Sequence, residues 1–211
     1  MKVSDATRSL ALLACATVLI CDVTIIPAGA SGQRFNESKY GFSLVIPQKW
    51  VEVPLNGSDI NGILTKAVKT DPTLKNALST QIESAAKKGI KFFAIGPIEG
   101  VTVPNVNIFV SSSSGSPPGK SFFEEVDAQV KIELSQAGFV HLVTGVKTLA
   151  LGKALVVTYD IPKTTSGFLA SGLQIYVKHT THVDVITITS GSLTHDRKVA
   201  KIIEKSWKWS S

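Results

Sequence analysis

Cysteine is nearly missing from this chain. Its 211 residues hold two, Cys15 and Cys21, both near the N-terminus. Everything after them therefore lacks a disulfide framework, a catalytic thiol and any cysteine metal site. Aromatic residues are sparse at 7%, and charged residues make 18% against 44% hydrophobic. That balance is too apolar for a disordered chain and too charged for a multi-span membrane protein. The uncharged apolar run Leu10–Cys21 is twelve residues long, short of the ~20 that a bilayer-spanning helix needs. No Gly-x-Ser-x-Gly elbow stands beyond residue 30, so that serine-hydrolase signature is missing too.

What is present begins with a leader. Lys2 and Arg8 precede the apolar run, Asp22 ends it, and Pro27 and the small triplet Ala28-Gly29-Ala30 follow. Basic, apolar and small-residue regions in that order read as a secretory signal peptide. The expectation is cleavage after Ala30, a short polar lead over 31–39 and one domain over 40–211. An uncleaved anchor would have to carry Asp22 and Pro27 inside its span. A lipoprotein is the other reading, because Leu12-Leu13-Ala14-Cys15 looks like a lipobox. Too few apolar residues precede Cys15 for that, and Cys21 follows the bulky Ile20. Secretion is the expected destination, with association to the cell envelope beside it and no membrane span after cleavage. The leader carries as many acids (Asp5, Asp22) as bases, so its loss leaves the +6 given by 22 Lys and Arg against 16 Asp and Glu.

In the mature chain, Phe42, Leu44 and Ile46 alternate with Ser43 and Val45, the period of a half-buried strand. Pro47-Gln48-Lys49 turns the chain into a second short strand, Trp50–Val53. Ser58–Thr70 places Ile60, Ile63, Leu64 and Ala67 at helical spacing. Asp71-Pro72 opens a firmer helix, with an N-cap acceptor and a proline whose missing N–H costs nothing there. Leu74, Leu78, Ile82 and Ala85 give it a core face, and Lys87-Lys88-Gly89 closes it. Lys91–Ile95 and Asn105–Ser111 read as strands and Ser112–Lys120 as a flexible loop. Ser121 and Glu124 have the spacing of a capping box. The helix they open buries Phe123, Val126, Val130 and Leu134 and ends at Gly138. Val140–Leu151 and Ala154–Ile161 form a hairpin turned by Gly152, and Gly172–Lys178 and Val183–Ser190 form another. A last helix, Thr194–Ser206, is apolar at Val199, Ile202 and Ile203. Dominant hairpins imply a mainly antiparallel sheet flanked by helices, an α+β sandwich.

The stretch Tyr40-Gly41-Phe42-Ser43-Leu44-Val45-Ile46-Pro47, with Trp50 after it, resembles the opening hairpin of the Mog1/PsbP-like superfamily. LpqN/LpqT-type exported actinobacterial proteins belong to the same group. The mid-chain helix, the two late hairpins and the terminal Ser206-Trp207-Lys208-Trp209 fit it, over about Tyr40–Trp209. The resemblance implies an α/β/α sandwich and a role in binding or assembly, with no catalytic residue and no cofactor to carry over. LpqN-type proteins have a convincing lipobox, which this chain lacks.

Side chains with chemistry are few. His179, His182 and Asp184 cluster at a hairpin turn and have metal-ligand chemistry, but such a turn is expected to face water, with no third ligand assured. Ser190 or Ser192 with His195 and Asp196 composes a triad on paper, which keeps a cofactor-free secreted hydrolase as the alternative. Glu124, Glu125, Asp127 and Glu133 share one helix, where acids in the first turn suit the helix dipole. Trp50 is expected in the core. Trp207 and Trp209 divide between core and an exposed binding platform. Lys198, Lys201, Lys205 and Lys208 recur at i, i+3, i+7 and i+10, a basic stripe opposite the apolar face. They and the two tryptophans are the candidate partner-binding residues, and an anionic envelope component or a protein is the expected partner. Nucleic acid is not, because aromatic and basic residues do not interleave.

Overall fold

β-Branched and aromatic residues at alternate positions build ten strands among the described residues. Those residues are 33–55, 62, 79–80, 82–84, 86–97, 102–113, 120–162, 169–179 and 181–209 of a computed structural model. The strands are β1 (Arg34–Glu37), β2 (Phe42–Val45), β3 (Val51–Glu52), β4 (Ile90–Ile95), β5 (Asn105–Ser112), β6 (Val140–Leu149), β7 (Gly152–Ile161), β8 (Ala170–Lys178), β9 (His182–Ser190) and β10 (Lys208–Trp209). Helix α1 is Lys120–Gln136 and helix α2 is Leu193–Ser206. Residues described between 79 and 87 are also helical and stop at Gly89, whose φ of 86° fits the expected closing glycine. The other positions of the helix expected from Asp71 to Gly89, the Ser58–Thr70 segment except Gly62 and the leader lie outside the described residues.

Seven strands make one antiparallel sheet in the order β3-β4-β5-β9-β8-β7-β6, and β1-β2-β10 make a small second one. Alternate residues of the large sheet feed two separate cores. Ala154, Ile175, Ile186 and Ile188 pack with Val199 and Ile203 of α2, and with Phe42, Leu44 and Trp207. Leu155, Val157, Tyr159, Tyr176 and Val185 pack with Phe123, Val126, Val130 and Leu134 of α1. Successive strand side chains point to opposite faces, so the two helices flank the sheet from opposite sides. The mixed, mainly antiparallel architecture expected from the hairpins is therefore present. Gly152 turns the β6–β7 hairpin at a φ of 116°.

Three local expectations change. The polar lead over 31–39 contains strand β1, held because Phe35 sets its ring 4.7 Å from Phe92 and 6.2 Å from Phe42. Phe42–Ile46 and Trp50–Val53 do not pair as a hairpin: β2 pairs with β1 and β10, whereas β3 pairs with β4. Ser121 lies inside α1 instead of capping it, since the helix already includes Lys120, whose Nζ reaches Glu124 at 3.5 Å.

One close approach constrains β8. A Cβ on Gly172 would stand 2.3 Å from two ring atoms of Tyr159. That ring is buried and stacked on Phe139 at 5.0 Å, so it has no room to withdraw. Gly172→Ala should therefore lower stability by ~1–3 kcal/mol, the usual range for overpacking. A shift of the urea midpoint checks it, and an unmoved midpoint would mean that the ring yields freely.

Candidate functional site

Helix α2 presents the basic stripe, and its own start explains its orientation. Ser192 is the N-cap and its side chain accepts from His195 N at 3.2 Å. In the first turn Asp196 is fully buried and accepts from Ser171 Oγ of β8 at 2.6 Å. That bond pins the helix face, so Val199, Ala200 and Ile203 enter the core. Lys198, Lys201 and Lys205 then point outward and are exposed, joined by exposed Arg197. Among the described residues none of these four makes an ion pair. The nearby Glu204 accepts from Ala150 N at 3.0 Å. Lys205 lies in the last turn, where a cation also suits the helix dipole. Two details differ from the sequence expectation. Lys208 is exposed but belongs to β10, off the helix, so the helical spacing does not carry through to it. Ile202 is 42% exposed, flanking the lysines instead of joining the core.

Beneath the end of α2 lies a second cluster, made of rings. Trp207 is buried, with its indole stacked on Phe42 at 4.6 Å and 10°. This overturns the exposed-platform reading for Trp207 and supports the core reading. Trp209 is half-buried, edge-on to Trp207 at 5.3 Å, and its Nε1 donates to Leu151 O at 3.4 Å. Its ring also lies 4.7 Å from His179. His179 is exposed, as a turn residue should be. His182 and Asp184 are not: both are buried, and the rings of Tyr40 and Trp209 lie 5.9 and 6.2 Å from that of His182.

The imidazoles of His179 and His182 stack at 4.9 Å and 23°, a geometry in which neither ring aims at a shared ion. Among the described residues no group of three or more metal-ligating side chains could hold a metal. His182 Nε2 is 3.7 Å from Asp184 Oδ2, too far for a hydrogen bond. Burial lowers the pKa of His182, with His179 adding to the effect. Burial raises that of Asp184 from 3.8 to about 8. Near neutral pH both are uncharged, so this is a sealed neutral pair and not an ion pair.

The remaining candidates separate. Ser190 Oγ donates to Ser192 O at 2.9 Å, Ser192 Oγ caps the helix, and Asp196 is held by Ser171. None of these bonds joins a serine hydroxyl to the His195 ring. The acids of α1 are dispersed as well. Asp127 binds Lys131 at 2.7 Å, Glu124 binds Lys120, and Glu133 accepts from Gln129. A groove of about 610 Å³ between α1 and the β6–β7 hairpin is lined by Lys120, Glu124, Asp127, Lys131, Thr144 and Lys153, with its acids facing lysines. Trp50 is half-buried, its ring laid against Gly96, where a Cβ would come within 2.6 Å.

No protein-family model matches this chain, and no curated protein matches it. Among solved structures it is similar to LpqN of Mycobacterium tuberculosis, described as involved in cell envelope biogenesis. The two share 12% identity over 89% of this chain and 90% of that one, with a TM-score of 0.47. The likeness is distant.

Sequence reasoning missed Arg197, set Ile202 on the apolar face and gave Tyr40 no place beside His182. Arg197 was readable as one more cation in the first turns of α2. Tyr40 was not, because its place against His182 at 5.9 Å depends on how β2 docks far along the chain.

Proposed function

We propose that this protein is an exported, non-catalytic binding or accessory domain acting at the bacterial cell envelope. In this reading it has the Mog1/PsbP-like fold of LpqN/LpqT type and holds an anionic envelope surface on the outer face of α2. The observation that carries it is that face: Arg197, Lys198, Lys201 and Lys205 exposed on one helix with no ion pair among the described residues. Clustered cations focus a positive potential that attracts anions, and the flanking Ile202 gives the face an apolar contact at a headgroup layer. The leader read from residues 1–30 supplies the export route. No helix among the described residues is long and apolar enough to cross a membrane.

Co-sedimentation with vesicles of phosphatidylglycerol, against phosphatidylcholine as control, tests the reading. Binding should appear on the anionic vesicles and weaken steeply as salt shortens the ~8–10 Å screening length. Lys201→Gln with Lys205→Gln should weaken it roughly 30-fold, at ~1 kcal/mol per basic residue near such a surface. Both positions are exposed, so the fold should be untouched. Binding that ignores salt and survives the double substitution would return the stripe to an ordinary solvated face.

A further inference from the structure

The large sheet ends differently at its two edges. At one edge β3 is two residues long, and shortness is one way that a sheet protects an edge. At the other, β6 runs for ten residues with β7 as its one neighbour among the described residues. A bulge between Val140 and Val143 and the positive φ of His141 distort its start, and residues 143–149 then pair regularly with β7. That stretch holds no proline and one charge, Lys147, and leaves Val143 65% and Val146 46% exposed. Leu149 and Gly152 pair directly beside their two-residue loop. Such a pair bonds inward, and the alternation of an antiparallel ladder then turns the N–H and C=O of Thr148, Val146 and Thr144 outward.

The groove of about 610 Å³ adjoins this edge. Thr144 and Val146 of β6 line it, Lys153 and Leu155 of β7 lie next to them, and α1 contributes Phe123 and Asp127. A helix standing over a free strand edge is the setting in which an extended peptide joins a sheet. Its main chain bonds to the edge and its alternate side chains fill the groove. We propose that residues 143–149 of β6 take up an extended segment of another protein as an added antiparallel strand, which lays an apolar side chain over Val146 and Leu155 and an acidic one beside Lys153.

Charge sets the partner's chemistry. The acids of the groove are already matched, Glu124 by Lys120 at 3.5 Å and Asp127 by Lys131 at 2.7 Å. Lys153 is left over. It is exposed, its Nζ stands 5.6 Å from the centre of the Phe123 ring, and it makes no ion pair among the described residues. Thr148 faces Lys153 across the ladder and Val146 faces Leu155. An incoming residue opposite Thr148 therefore reaches the ammonium, and the residue two further along meets the apolar floor. A second copy of this chain fits worse, because its β6 has no Asp or Glu to offer and would bring Lys147 instead. The site is separate from the basic face, since α1 and α2 flank opposite sides of the sheet.

The test titrates the full chain into a fluorescein-labelled peptide, Thr-Val-Thr-Glu-Thr-Val-Thr, with a control peptide that has Lys for Glu. Anisotropy of the first should rise to saturation. The control should bind roughly tenfold more weakly, as an exposed ion pair becomes a like-charge contact. Lys153→Gln should erase that preference, and Lys201→Gln with Lys205→Gln should leave it unchanged. Val146→Pro removes an outward N–H at an edge, where a strand tolerates proline, so it should abolish binding with little change in the urea midpoint. In the unsubstituted chain, bound peptide should slow amide hydrogen exchange at Thr144, Val146 and Thr148, a readout that stands even if the proline variant is unstable. No binding at millimolar peptide, or equal affinity for the two peptides, overturns the proposal. So does protection of these three amides in the free chain, which would mean that a second copy or the chain itself covers the edge.

Discussion

Asp184→Asn should stabilise the protein by on the order of 3–5 kcal/mol near pH 9 and by almost nothing near pH 4. Asp184 is 0% exposed, and its carboxyl oxygens have no hydrogen-bond partner among the described residues. Burial raises its pKa from 3.8 to about 8. Through that window the folded chain holds a proton that the unfolded chain has released. Stability therefore falls as pH rises from the lower value to the higher, by up to ~1.4 kcal/mol per pH unit, and is flat outside it. Asparagine has nearly the same shape and cannot ionise, so the falling limb disappears. Its advantage is complete above pH ~8 and absent below pH ~4.

His182 acts in the opposite sense. Its lowered pKa makes the folded chain refuse a proton that the unfolded chain accepts, so stability rises with pH through the range below 6.5. That limb remains in the variant. Urea midpoints of both proteins across the pH range separate the two. Parallel curves would show that Asp184 is ionised and satisfied in the folded state.

The parts of this fold that were legible in the sequence are those whose cause is local. The β6–β7 hairpin is written in a glycine between two β-branched runs, and α2 in the spacing of Val199 and Ile203. The basic stripe followed from the same spacing, since a helix that buries one face exposes the other. Nothing local separates β2 from β3. A turn stands between them, yet Trp209 pairs with Phe42 and Val51 with Ile95, partners far away in the chain. The burial of His182 and Asp184 has the same origin. A hairpin turn reads as exposed, and what lies against this one is Trp209 of β10, arriving after α2 has turned the chain back. The alternation in β5 and β9 misleads in another way. Asn-Val-Asn-Ile and Thr-Ile-Thr have the pattern of strands with one wet face, but here the polar face is covered too.

Trp207→Ala should cost ~3–5 kcal/mol, the range for emptying a buried large aromatic site. Trp207 joins three pieces of the fold. Its backbone N–H donates to Ile203 O at 2.9 Å and ends α2, its ring stacks on Phe42 of β2, and β10 begins at the next residue. Truncation leaves the backbone bond but opens a cavity between α2, the small sheet and the large one. Trp209→Ala removes a ring that solvent already reaches in part, so its urea midpoint should fall less. Trp207→Phe separates packing from hydrogen bonding. The indole Nε1 of Trp207 has no hydrogen-bond partner among the described residues. Removing it sheds a buried donor and keeps a ring against Phe42, so this variant should retain most of the stability that alanine loses. A phenylalanine variant as unstable as the alanine variant would show that the N–H, and not the stacked ring, holds the junction.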